Sequence, residues 1–600
     1  MKSSSTKFTN LLLVLTVLLA AGCSRIRTYQ STPAPTQIST PNPTPTELAP
    51  KTPTPYQEQP VKAMPVQPRF GVAGKDSLGD PYIPELGNTG YNVKLYNLIF
   101  DIAPEQKIIT ATAIISATST LDNLGRISLD FKGFQTDGVT VNGDSVPFYR
   151  SPNKLYLDLP RPFAKDEPLT VKVNYHGEMQ TQSTTYIPQF QMGFTQPKAD
   201  RLFAFSEPDG ARAWFPANDH PLDKAAFQIE ATVPQALTAV ANGDLLATDT
   251  ADGKTTYKWY EEDPLATYLA TLAVGPYVKI DSQSYDKTQL RYYIFQDDPK
   301  AGNSVNQSAL ILKFLTDLIG PYPFDEFGYV EINSPGLAME TQTMILVDQA
   351  IFDSNPSATF VHEAAHQWFG DNVSLATWGD IWLNEGFAQY FQVLWQVKYG
   401  GNLRVILDSY ENSILQREQT EFAPLDEPSE NNMFGTNTYL KGAWILYMLR
   451  EELGDELFIK VIRTYYQRYA GGNATSADFQ AVAEEVSRKD LEAFFRQWVE
   501  TPGNPHLAIT WTSQPATNGS QATIQVCQTI PDGTYAFPLE IQLAATDGKG
   551  EISTIQVSER QQDITVQLPF EPTILTADPN QKVLADVNVT RVDLIQPCPS

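Results

Sequence analysis

Cysteine is scarce in this 600-residue chain, with three residues at 23, 527 and 598. Histidine is nearly as rare, with five, so any imidazole chemistry must draw on a short list. Basic residues are also few: 43 Lys and Arg stand against 69 Asp and Glu, for a formal charge of −26. That balance lacks the basic footprint that nucleic acid or an anionic membrane surface requires, and neither is expected as a partner. Long apolar runs are missing as well. The stretch Leu11–Ala21 falls short of the roughly 20 residues a spanning helix needs. No internal repeat is visible.

What the chain does have is a globular composition, 42% apolar and 11% aromatic, over a length that predicts several domains of roughly 100–200 residues. Its first residues, MKSSSTKFTNLLLVLTVLLAAGC, place Lys2 and Lys7 ahead of the short apolar core, the pattern of an export signal over residues 1–22. The closing LLAAGC resembles the lipobox of bacterial lipoproteins, with Ala20 at the position where Leu is usual. The resemblance implies lipidation at Cys23, and so an exported protein of the cell envelope anchored to a membrane through that lipid alone. Residues 23–68 are rich in Pro, Thr, Ser and Gln and cannot bury a core; they read as an extended spacer. Cys527 and Cys598 then remain, either as a disulfide or as two free thiols.

From 69 to 284 the residues alternate in strand fashion between NGD, DG and ADGK turn signals, predicting an N-terminal β domain. From 285 to 505 the spacing is mainly helical, including 357–372, 380–399, 402–417 and 438–500, with Gly320-Pro321 ending an earlier helix. TPGNPH at 501–506 breaks the pattern, and 506–600 alternates again as a β-sandwich-like domain. The fold class expected is multidomain α+β.

The chemistry concentrates in VHEAAHQWFGDNVSLATWGDIWLNEGFAQY, residues 361–390. His362 and His366 stand four apart and share one helix face. Each can give a nitrogen to one metal ion at about 2.0–2.1 Å. Glu363 lies about 100° round the helix, beside the ion, where it can take a proton from water. Two histidines leave zinc short of the three protein ligands a catalytic site uses. Glu385 opens the next amphipathic helix and supplies the third.

These residues resemble the gluzincin aminopeptidases, the family of aminopeptidase N and leukotriene hydrolase. Its H-E-x-x-H pattern, its 18-residue interval and its W-L-N-E-G-F-A are all present, with Asp371 where Asn is usual. The resemblance covers about residues 90–505. It implies a saddle-like N-terminal β domain, a thermolysin-like catalytic domain, and one Zn²⁺ per chain held by His362, His366 and Glu385 with Glu363 as general base. PGLAMET at 335–341 resembles the G-A-M-E-N motif through Ala338, Met339 and Glu340, with Leu337 and Thr341 departing from it. FSEPDGARAWFPANDHP at 205–221 carries Glu207, with Phe205 in place of a glutamine. The resemblance makes Ala338, Glu340 and Glu207 substrate-binding residues, the two glutamates gripping a free α-amine, and Arg212 and Asp219 structural. Tyr439, in the Y-x-K-G context of NTYLKGA, is implied as the donor to the oxyanion. A β domain follows where many members carry a large helical one, and more open access to the site is expected.

The function expected is zinc-dependent removal of the N-terminal residue from peptides with a free N-terminus. The rivals are a zinc endopeptidase or another zinc hydrolase on the same ligands, and a non-catalytic surface module. Retention of all ligands and of the base argues against the last, and the paired Glu207 and Glu340 against the others.

Overall fold

A computed structural model describes residues 64–282, 285–354, 357–530 and 533–598. Residues 1–63, with the expected signal peptide, Cys23 and most of the spacer, lie outside the described residues. The rest forms a multidomain α+β protein.

Alternating sequence becomes sheet in the first domain because period-2 side chains send one set inward. Tyr91–Ala103 and Ile108–Ser119 pair antiparallel at the heart of an eight-stranded sheet. A register shift between Val93 and Leu95 moves the inward phase by one residue. The buried set is therefore Tyr91, Val93, Tyr96, Leu98, Phe100 and Ile102, none more than 4% exposed. A second, five-stranded sheet contains Arg201–Phe205, buried along its whole length, and the chain leaving it carries Glu207.

The catalytic domain opens with a five-stranded sheet in the order Tyr277–Asp281, Gln289–Phe295, Glu326–Ile332, Met344–Asp348, Ala338–Met339. Its first strand precedes residue 285. Its last, Ala338–Met339, pairs antiparallel on one flank with Met344–Asp348 and forms the edge. The longer helices follow as α1 (Ser308–Leu318), α2 (Ser357–His366), α3 (Trp382–Lys398), α4 (Leu403–Arg417), α5 (Gly442–Leu453), α6 (Asp455–Tyr469) and α7 (Ser476–Ser487). The sequence spacing runs α2 on to residue 372, but the helix stops at His366. Gly370 takes φ +131°, open to glycine and strained for other residues, and Asp371 N–H turns back to the His366 carbonyl at 3.0 Å.

α3 and α5 cross where Gly386 meets Gly442. A Cβ on either would lie 2.9 Å from the other's Cα, so only this pair of residues allows the approach. The contact sits one residue after Glu385 and three after Tyr439.

The C-terminal domain stacks a four-stranded sheet on a three-stranded one. Its core is continuous with that of the catalytic domain: Trp498 packs on Tyr535 and Phe537 with ring centroids 5.6 and 6.0 Å away. Cys527, on the strand Gly519–Gln528, is bonded to Cys598, with Cα atoms 5.7 Å apart. Of the two alternatives left by the sequence, the structure takes the disulfide. It closes a 71-residue interval, and chain entropy gives such a bridge about 4 kcal/mol at most. Cys598→Ser is expected to lower the thermal midpoint of the protein by a few degrees and to leave metal content unchanged. An unaltered midpoint in scanning calorimetry would show that the bridge contributes nothing.

Candidate metal centre

The i, i+4 spacing on α2 brings His362 and His366 to one face, and the first turn of α3 brings Glu385 against them. Both imidazole Nε2 atoms converge on one carboxylate oxygen, Glu385 Oε2, at 3.1 Å from His362 and 3.4 Å from His366. Tetrahedral ligands about 2.0–2.1 Å from a zinc ion stand roughly 3.3 Å from one another, so the donor set fits Zn²⁺ in type, number and spacing. His366 Nδ1 faces the Phe369 carbonyl at 3.2 Å, which turns its Nε2 toward Glu385. That partner exists because α2 ends early and folds residues 367–373 back beneath it. His362 Nδ1 is buried without a hydrogen-bond partner among the described residues.

Further carboxylates join these ligands. Glu340 and Glu363 each bring an oxygen within 4.8 Å of His366 and of one another, and Glu207, Glu340 and Glu385 converge within the same distance. All are buried. Glu207 Oε1 and Glu340 Oε1 have no hydrogen-bond partner among the described residues. Burial, and then the charge of Glu340, push the Glu207 carboxyl well above the usual range. Burial raises Glu340 and Glu363 too. For Glu385 burial acts upward but loses to the two imidazoles, which hold it at about 2. Burial would lower His366, yet the carboxylates of Glu340 and Glu385 raise it well above its ordinary value. Four carboxyl groups and two imidazoles thus share the site.

The Tyr439 ring stacks on that of His362 at 6.0 Å, and burial keeps its hydroxyl protonated well beyond pH 10. Ala338 lies on the edge strand two residues before Glu340. The structure thus brings Glu207, Ala338, Glu340, His362, Glu363, His366, Glu385 and Tyr439 to one place. Arg212 and Asp219 bond to each other instead, Arg212 N–H donating to Asp219 Oδ2 at 3.0 Å.

Gln367 was not singled out in the sequence. Its Nε2 donates to the Glu340 carbonyl at 3.0 Å, and its Oε1 accepts from Thr343 N–H at 2.9 Å. One side chain next to a metal ligand therefore fixes the loop that carries Glu340. Its only signal was its place after His366. Thr343 Oγ1 donates in turn to Glu261 Oε2 at 2.9 Å and accepts from Gly243 N–H at 2.8 Å, docking that loop on the N-terminal domain.

Asp371 is fully buried, and neither carboxylate oxygen has a hydrogen-bond partner among the described residues. Burial, reinforced by Glu340, raises its carboxyl well above the usual range. That direction favours the neutral, protonated carboxyl, which is nearly isosteric with the amide of Asn. Lys224 holds the same turn from the N-terminal domain, its Nζ donating to the carbonyls of Asp371 and Asn372 at 2.8 and 2.9 Å.

Comparison with known proteins gives matches over both parts of this site. Residues 92–269 match the peptidase M1 N-terminal domain and 310–498 the peptidase family M1 domain, together more than half of the chain. An aminopeptidase M1-C of Oryza sativa subsp. japonica is 29% identical over 408 residues, 64% of this chain and 41% of its own length. A glutamyl aminopeptidase of Homo sapiens is 30% identical over 330 residues, 50% of this chain and 34% of its own. The chain thus spans less than half the length of these relatives. Among solved structures, an M1 zinc metallopeptidase from Deinococcus radiodurans superposes with a TM-score of 0.66 at 28% identity, covering 72% of this chain and 98% of that one.

Asp371→Asn and His366→Ala should part company. His366→Ala is expected to lose bound zinc, read by elemental analysis, because two ligands remain where three are needed. Asp371→Asn should keep zinc and retain activity within about threefold. With its carboxyl raised in the native state, the group holds its proton to higher pH than the unfolded chain, which releases it above about pH 4, so its contribution to stability falls as pH rises. Asn removes that loss, and the gain in thermal midpoint should be larger at pH 8 than at pH 5. An equal or negative change at pH 8 would mean that Asp371 is ionised in the native state.

Proposed function

From the premise that the chain belongs to peptidase family M1, we propose that it is a zinc-dependent aminopeptidase that releases the first residue of peptides with a free N-terminus. The observation that supports this most directly is the convergence of Glu207 and Glu340, unpartnered and buried, beside the His362, His366 and Glu385 ligand set. Two carboxylates in a low-dielectric site call for a cation, and a protonated α-amine supplies one with enough hydrogens for both.

A zinc ion on those three ligands would act as a Lewis acid toward a carbonyl oxygen and lower the pKa of a water to about 7. The chain's own residues do the rest. Glu207 and Glu340 hold the ammonium, so the first peptide bond is the one presented. The edge strand Ala338–Met339 leaves one flank for an extended peptide backbone. Glu363 takes a proton from the attacking water and delivers it to the departing nitrogen as the C–N bond breaks. Such transfer contributes typically 10²–10⁴-fold. The Tyr439 hydroxyl donates to the oxygen on which negative charge develops, a contact worth on the order of 10²–10³.

We further propose that the protein is exported and held at a membrane by lipid on Cys23, from the LLAAGC stretch and the Pro/Thr-rich spacer. No helix of the described residues is long and apolar enough to cross a membrane.

Each charge-assisted hydrogen bond to the ammonium is worth about 1.5–3 kcal/mol, or roughly 10–150-fold. Glu340→Ala and Glu207→Ala are therefore expected to lower kcat/KM on free peptides by that range, with zinc retained and little further change on N-acetylated peptides. Glu340→Ala should cost more, since the altered motif around Glu207 begins with Phe205 rather than a glutamine. Should both variants keep the wild-type ratio between free and acetylated peptides, the amine is gripped elsewhere. Cys23→Ala is expected to move the protein to the soluble fraction with its peptidase activity intact; persistence in the membrane fraction would place the anchor elsewhere.

A further inference from the structure

Lys441 is 1% exposed. A buried ammonium is costly unless it is tied down. Its Nζ donates to the carbonyl of Gly503 at 2.8 Å. Gly503 belongs to the Thr501–Pro505 junction that leads into the C-terminal β domain. The nearby carboxylate of Glu418 is already engaged, accepting from Asn504 Nδ2 at 2.9 Å and facing His506 Nε2 at 2.6 Å. Burial draws the Lys441 amine down to about 8, with Glu418 acting the other way.

Lys441 closes the π-helical turn Asn437–Lys441 that carries Tyr439. Such wide turns hold one residue more than an α-helix accommodates and are rare. The first end of the turn is supported: Asn437 N–H donates to Glu421 Oε2 at 3.0 Å and Asn437 Nδ2 to the Glu421 carbonyl at 2.8 Å. Past the other end, Gly442 is wedged against Gly386 of α3. Between them the tether to Gly503 fixes the last residue of the turn. If the turn relaxed to an α-helix, the side chains on one side of it would swing by about 100°, enough to carry the Tyr439 hydroxyl away from the ligand set.

We propose that Lys441 is a positioning residue through which the junction to the C-terminal β domain holds Tyr439 against the metal centre. This rests on the reading of Tyr439 as the donor to the developing oxyanion. Gly503 is suited to the other side of the contact: it adopts φ +82°, and a Cβ there would lie 2.8 Å from the Phe422 ring. The direction of its carbonyl therefore depends on its being glycine. The junction ahead of the C-terminal domain then belongs to the catalytic apparatus without contributing an atom to the reaction.

The test is a double-mutant cycle in the full-length chain, with zinc content and thermal midpoint recorded for each variant. Lys441→Met is expected to lower kcat by about tenfold or more while KM stays within about twofold and zinc is fully retained. Gly503→Ala, which reaches the same contact from the junction, should give the same kcat-against-KM signature, and it keeps the test open if Lys441→Met does not fold. In a Tyr439→Phe background either change should cost less than about twofold, because the group being positioned is already gone. A loss that is equal in both backgrounds, or unchanged kcat in both single variants, overturns the inference and leaves Tyr439 in its role. Wild-type activity in Tyr439→Phe overturns the reading of Tyr439 itself, and this inference with it.

Discussion

Like charges cannot all ionise when they are taken from water into one small volume. Here the carboxyl groups of Glu207, Glu340, Glu363, Glu385 and Asp371 are buried in a single region, with the imidazoles of His362 and His366 among them and Lys224 beside Asp371. The rest of the site can be understood as a response to that constraint. Asp371 answers it with a carboxyl raised well above the usual range by burial. Glu385 answers it by facing both imidazoles. Burial raises Glu207 and Glu340 as well, and one oxygen of each has no hydrogen-bond partner among the described residues. A divalent ion and a protonated amine are two cations of suitable size, and in the proposed reaction they arrive in that order.

Such a cluster is costly to assemble, and the structure shows how it is held. Its members come from separate parts of the chain: Glu207 from the N-terminal domain, Glu340 from a sheet edge, His362, Glu363 and His366 from α2, Glu385 from α3 and Tyr439 from a π-helical turn. Gln367 ties the Glu340 loop to the end of α2, and Thr343 ties that loop to Glu261 and Gly243. Lys224 ties the turn after α2 to the first domain. The Gly386–Gly442 contact brings α3 and α5 together one residue after Glu385 and three after Tyr439. These are short polar links and one steric stop, each beside a chemically active residue rather than far from it.

Much of this was legible in the sequence because local rules suffice for it. Helical spacing puts His362 and His366 on one face, and alternation marks the β domains. What was not legible depends on contacts between distant segments. The end of α2 at His366 rests on a left-handed Gly370 inside a stretch whose apolar spacing continues. The role of Gln367 needs Glu340 and Thr343 to be near, which no spacing rule states. The choice of disulfide over two thiols needs the last residues to return to the strand at Cys527. The edge position of Ala338–Met339 is a fact of sheet order, and a two-residue strand has no periodicity to read.

The nearness of the two carboxylates to the metal ligands also makes the site a ruler. Glu207, Glu340 and Glu385 present oxygens within 4.8 Å of one another. In an amino acid the nitrogen and its own carbonyl carbon are about 2.5 Å apart, and each further residue moves the next carbonyl about 3.8 Å on. A peptide gripped by its amine can therefore offer its first carbonyl at the ligand set, but the second overshoots. On the proposed grip, the interval between amine and ligands counts to one. On the proposed reaction, a peptide would be shortened in unit steps, and trimming would halt at the first end whose nitrogen cannot carry a charge.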